Sequence, residues 1–190
     1  MLAALLWIIG TLILAAGFLL LFLWRVPYFL IKTVVRLFGR KLEIDPWNRL
    51  GMSSMASAGS DRVVMSSPDM LYRFGAFDVS KHPVVVHCVV PDQDTYWCIS
   101  LYARNTDNFY VRNDRNARDR EFDLVIVGPK NQFQKSGDEE VVVAPSARGV
   151  VLIRAVMKDP EDPHEVARLQ EFLNRTTIVP YSQGVPISVG

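Results

Sequence analysis

The sequence predicts a mainly β domain, an antiparallel β-sandwich or partly open barrel with one late packed helix, attached to an N-terminal transmembrane helix. Three observations carry this. The first charged side chain is Arg25, so the chain opens on an apolar stretch of about 22 residues, Leu2 to Leu23. Short β-branched and aromatic runs separated by turn residues fill the middle, the strongest being Val84 to Val90 (VVVHCVV). A single helix start, Asp162-Pro163-His164-Glu165, comes late.

Residues 1–24 read as the anchor. At about 1.5 Å per residue the apolar stretch reaches roughly 33 Å, enough for a hydrocarbon core of about 30 Å. A cleaved leader would need a basic start and a small-residue site followed by polar sequence. Here no Lys or Arg precedes the stretch, and Phe18 to Trp24 runs on apolar beyond Ala15-Ala16-Gly17. Ala3, Gly10 and Gly17 recur every seven residues and so share one face, where small side chains admit a second helix.

Residues 25–44 read as a basic amphipathic helix. Pro27 marks an expected break. Beyond it Lys32, Arg36 and Arg40 share a face opposite apolar positions, the pattern of a helix lying on anionic head groups. Packing on the globular domain is the competing reading. Arg25, Lys32, Arg36, Arg40 and Lys41 follow the span and only the α-amine precedes it, so the positive-inside rule puts the domain on the cytoplasmic side.

Residues 45–190 read as the soluble β-rich domain. Gly51 to Ser60 is a small, polar loop segment. Strands are expected at 62–65, 70–79, 84–90, 96–103, 122–127, 140–143 and 150–155. The helix follows from Asp162 to about Arg175, with Val166, Leu169, Phe172 and Leu173 on one face. Thr176 to Gly190 reads as an extended tail.

Composition narrows the chemistry. With 21 Lys+Arg against 20 Asp+Glu the net charge is +1, which excludes the clustered basic excess of a nucleic-acid binder. Val111 to Glu121 (VRNDRNARDRE) nearly balances its charges and reads as a solvated loop. Two cysteines exclude a disulfide framework and a Cys-based zinc site, and no cofactor or metal motif is present. His82 and His164 sit at a turn and a helix start, and His87 reads as a hydrogen-bonded strand residue. Asp92 and Asp94 are turn residues. If the segment around Gln93 closes a symmetric hairpin, Cys88 faces Cys98 with Cβ atoms about 5 Å apart. That spacing allows a strained bridge in an oxidising compartment and two buried thiols in a reducing one.

Four ordered blocks carry a family resemblance: Asp69 with Leu71-Tyr72, then Pro83 to His87 and Tyr96-Trp97; Val125 to Pro129; Ala144-Pro145 with Val151 to Arg154; and Asp159 to Asp162 with Val166 and Leu169-Gln170. Over roughly Asn48 to Pro180 the chain resembles the bacterial domain of unknown function 1254. The resemblance implies a β-rich domain. In longer members a second domain, the domain of unknown function 1214, follows, which implies a companion protein carrying it here. Longer members commonly carry export signals, which point to the periplasm against the charge rule. The polar motif is reduced here to Asp69, Leu71 and Tyr72, leaving Asp69 and Tyr72 as polar-site candidates. The resemblance supplies no catalytic residues. The leading expectation is therefore a bilayer-anchored module acting as a subunit or scaffold of a membrane complex. An enzyme, for instance a hydrolase, using Asp69 and Tyr72 is the alternative, and a lipid-binding module a third.

Overall fold

The structure, a computed structural model, describes residues 1–42, 47–55, 67–91, 95–117, 119–131, 133–135 and 139–181, with side chains in the first helix described as far as Leu37. The expected strand at 62–65, the turn residues Asp92 and Asp94, and the side chains of Arg40 and Lys41 lie outside the described residues.

The first helix, α1, runs unbroken from Leu2 to Leu42. The break expected at Pro27 does not occur. A proline costs a helix one N–H bond and some crowding, and here the flanking turns hold the helix through it. Trp24 and Tyr28 pack edge to face at 6.0 Å, and the next turns dock on the domain. Between Leu2 and Leu37 α1 is long and apolar enough to cross a membrane.

The domain is two sheets. One has the order β1-β3-β9-β5-β6, with β2 added on β3: β1 Arg49–Leu50, β2 Ser54–Met55, β3 Met70–Asp78, β5 Trp97–Ala103, β6 Asn108–Asn113 and β9 Arg148–Val156. The other has the order β10-β4-β7-β8: β4 Val84–Val89, β7 Glu121–Val127, β8 Glu140–Val143 and β10 Thr177–Pro180. All named pairs are antiparallel except β7–β8, which is parallel.

The alternation expected of two facing sheets fills the core. Phe77, Ile99, Leu101 and Ile153 from the larger sheet meet Val84, Val86, Leu124 and Ile126 from the smaller, all essentially inaccessible to water. Arg112 shows how the open side is tied. It lies on β6, not in a solvated loop; it pairs with Glu140 of β8, and its guanidinium lies 3.8 Å from the Phe122 ring centre.

The second helix, α2, is Pro163–Arg175 and packs Leu169 and Leu173 into the core. Its start follows the sequence reading: the Asp162 carboxylate accepts the His164 N–H at 2.9 Å, and Pro163 fills the first turn. Buried Glu165 accepts the N–H groups of Lys158 and Asp159, both at 2.9 Å. Its far end is held by Arg73, which is 6% exposed and donates to the carbonyls of Gly51, Leu173 and Thr176. Burial pulls the Arg73 pKa down to about 10, so it remains a cation at neutral pH.

The hairpin assumed for Cys88 and Cys98 does not form. β4 pairs with β7 and β10 in one sheet, while β5 pairs with β6 and β9 in the other. Cys88 faces the core among Val86 and Leu124, whereas Cys98 lies on the outer face beside Ser100 and Arg154. Both are free and buried. Burial pushes the Cys88 thiol well above its ordinary pKa.

Candidate functional site

Asp69 and Tyr72 do not form a shared site. Asp69 is exposed in the turn before β3, and it is its backbone carbonyl that accepts the Met157 N–H at 2.8 Å. The Tyr72 hydroxyl accepts the Ser67 N–H at 3.0 Å and points back toward Met70 Sδ at 3.6 Å. Tyr72 thus orders the turn that presents Asp69.

A polar concavity lies where the chain enters the sandwich. It has a volume of about 370 Å³ and is lined by residues including Trp47, Asn48, Asp78, Lys81, His82 and Arg148. Asn48 builds its floor. In a left-handed conformation (φ 55°), which asparagine tolerates, it donates to the Asp78 carbonyl at 3.2 Å and accepts the Asp78 N–H at 2.8 Å. That fixes the Asp78 carboxylate, which accepts from Arg148 Nε at 2.7 Å and from the Ser80 N–H at 2.9 Å. Burial raises the Asp78 pKa, but the hydrogen bonds from Ser80 and the Arg148 charge outweigh it and hold the carboxyl below its usual value. The Arg148 guanidinium also lies over Trp47, 4.8 Å from the ring centre. Lys81 and His82 are exposed at the rim. Sequence reading singled out none of these residues except His82. The one local signal was an Asn two residues after Pro46 at the start of the domain.

His87 lies on the outer face of the smaller sheet, opposite Asp123 in register. Its Nδ1 is 2.8 Å from Asp123 Oδ1, and Nε2 is 3.9 Å from Glu121, which also takes Arg175 at 2.8 Å. It is the hydrogen-bonded strand histidine the sequence suggested. Among the described residues, no group of three His, Cys, Asp or Glu side chains is placed to hold a metal ion.

On α1, Ala3 and Gly10 line a shallow groove with Leu6, Trp7, Thr11 and Leu14, about 330 Å³ in volume. A Cβ added at Gly10 or Gly17 would meet no atom within 4 Å, so that face is open for a neighbour. The second half of α1 is used differently from the surface-lying helix expected. Ile31 and Val35 pack on Ala76, Val150, Phe74 and Tyr102 at the outer face of the larger sheet. Lys32 and Arg36 stay exposed, and Arg25 lies over Trp24 at 5.3 Å from its ring centre.

Comparison with known proteins fits this architecture. No curated protein matches the chain. The VPA0106 protein from Vibrio parahaemolyticus superposes with a TM-score of 0.60 at 15% identity, over 87% of this chain and 41% of that one. An uncharacterised protein from Burkholderia cenocepacia has a TM-score of 0.45 at 16% identity, covering 71% of this chain and 34% of that one. The present chain thus spans well under half of either structure, and the Vibrio likeness shows a shared fold. The sequence profile described as "Protein of unknown function (DUF1254)" matches residues 47–177, from the entry of the sandwich to the first residue of β10, and the chain belongs to that family.

Proposed function

We propose that this protein is a single-pass component of the bacterial inner membrane whose sandwich serves as a subunit or scaffold of a membrane complex. The observation that supports it is α1. One unbroken helix carries an apolar, unburied first half and a second half docked on the sandwich through Ile31 and Val35. Such a helix is both anchor and part of the fold, so the domain is held at a fixed place beside the bilayer rather than on a flexible tether. Measured along a straight helix, Lys32 lies about 10 Å and Arg36 about 17 Å beyond Arg25. Arg25 therefore reaches the head groups directly, while Lys32, Arg36, Arg40 and Lys41 act through the surface potential. By the positive-inside rule their sign supports a cytoplasmic domain.

The face of Ala3, Gly10 and Gly17 is where a partner's membrane helix would pack. A companion carrying the 1214 domain would supply what longer family members hold in one chain. The cleft beside Trp47 favours a second reading, a module that binds a small anion there. Two experiments test the first reading. Full-length protein purified from membranes in mild detergent should bring a partner in fixed ratio, and Gly10→Leu with Gly17→Leu should lose that partner while staying in the membrane. Purification alone, with no partner to lose, would contradict a scaffold. A single cysteine near the C-terminus, with Cys88 and Cys98 replaced, should resist an impermeant thiol reagent in intact cells and react on lysis. Labelling in intact cells would place the domain outside.

A further inference from the structure

The way α1 crosses the sandwich fixes which side of the domain meets the lipid. α1 meets the domain at Tyr28, over which the Arg104 guanidinium sits 5.8 Å from the ring centre. Arg104 is in the turn joining β5 to β6. Ile31 and Val35 then pack among Tyr102 of β5, Val150 of β9 and Ala76 of β3. The chain returns at Trp47, which bridges to Ala76 of β3 just before β1. In the sheet order β1-β3-β9-β5-β6, this is a path from the β6 side toward the β1 side. α1 therefore runs across the strands, not along them.

Tyr28 lies three residues beyond Arg25, about 4.5 Å along the helix axis. The polar layer on each side of the hydrocarbon core is roughly 5–8 Å thick. A span ending near Trp24 thus puts the Arg104 turn at head-group depth. β1 lies four strand spacings from β6, about 19 Å further from the bilayer.

We infer that the sandwich rests on the bilayer with its strands roughly parallel to the membrane plane, its β6 edge and the 104–107 turn seated in the phospholipid head-group layer. This rests on the reading of residues 2–24 as a retained span. β8 is brought to the same side by the ion pair between Arg112 and Glu140. Both are end strands of their sheets. Each carries an exposed valine, Val111 at 49% and Val143 at 63%. Apolar exposure alone does not choose this edge, since Met52 and Met55 are exposed near β1 and β2; the path of α1 does. The arrangement also deals with the outer edge of β6, which among the described residues pairs with β5 alone and so offers a template to another chain. At the head groups that edge stays hydrated and is shielded from other sandwiches. The Trp47 cleft, on the β1 side, then opens away from the lipid.

The test uses the full chain in phospholipid vesicles that contain a nickel-chelating lipid. Single spin labels are placed at exposed sites by Val111→Cys and Arg49→Cys, and in a second pair by Asp107→Cys and Lys81→Cys. The buried native thiols stay in place, and the parent chain serves as the labelling blank. Nickel at the head groups should enhance relaxation of the labels at 111 and 107 several-fold more than those at 49 and 81. Equal enhancement within both pairs, or the reverse order, in protein that floats with the vesicles after alkaline washing overturns the orientation and leaves the anchor standing. Protein that washes off the vesicles overturns the anchor and the orientation with it.

Discussion

Arg73 of β3 is a buried cation, 6% exposed, at the end of α2. Its guanidinium joins three carbonyls: Gly51 ahead of β2, and Leu173 and Thr176 at the end of α2. Substituting methionine keeps the side-chain length but strands those acceptors. A hydrogen bond to a charged donor contributes about 1.5–3 kcal/mol, and an unsatisfied buried carbonyl costs about 1–3 kcal/mol. The guanidinium's own burial, the cause of its lowered pKa, offsets part of this. The expected net loss for Arg73→Met is about 3 kcal/mol, or roughly 10 °C in Tm for a domain of this size. Urea unfolding of the detergent-solubilised chain reads it, followed by the fluorescence of Trp97, which is 0% exposed. The midpoint should fall at unchanged slope. Arg73→Lys should recover part of the loss, since an ammonium satisfies fewer acceptors than the guanidinium fork. A loss under about 1 kcal/mol for the methionine variant would refute the claim that Arg73 holds the end of α2.

Three further outcomes are expected. Folding favours ionised Asp78, so its stabilising contribution is complete above the unfolded pKa near 3.8 and fades as pH falls below it; the stability gap between parent and Asp78→Asn should be widest at neutral pH and narrow as pH falls below 3.8, and a gap that stays constant on acidification would contradict this. Both cysteines should resist a thiol reagent in the native chain and titrate as two thiols after unfolding without reductant; finding none would restore a bridge. Ile31→Asp with Val35→Asp should free α1 from the sheet, seen as at least tenfold faster tryptic cleavage after Lys32 and Arg36, and unchanged cleavage would mean the docking contributes nothing.

Legibility followed local chemistry. α2 was readable to the residue because an N-cap, a first-turn proline and a helical apolar face agree at one place. The strands β3, β4, β5 and β7 were readable because most of their inward residues are large and apolar, such as Leu71 and Phe77, Val84 and Val86, Ile99 and Leu101, and Leu124 and Ile126. β6 was missed: Asn108 to Asn113 is an end strand with few buried residues, and its Arg112 is turned inward by Glu140, a partner 28 residues away that no local pattern announces. β10 was read as tail because Thr177–Pro180 is four residues long and held by its register with β4. The Cys88–Cys98 hairpin failed for a related reason. A turn-rich linker between two apolar strands looks the same whether it closes a hairpin or crosses between sheets. Of the polar-site candidates, Asp69 and Tyr72 were visible through the family resemblance. The cleft around Asn48, Asp78 and Arg148 was not, because it is assembled from three distant stretches. At α1 the basic face was legible, but the proline was overread as a break, and the sheet that occupies Ile31 and Val35 belongs to the tertiary fold.

The central claim is that α1 is a retained membrane anchor. The direct measurement is the intact mass of the protein recovered from membranes after alkaline extraction. The account predicts a membrane-retained chain that still carries Leu2 to Trp24. A soluble product beginning at or after Ala16 would show a removed leader and contradict it.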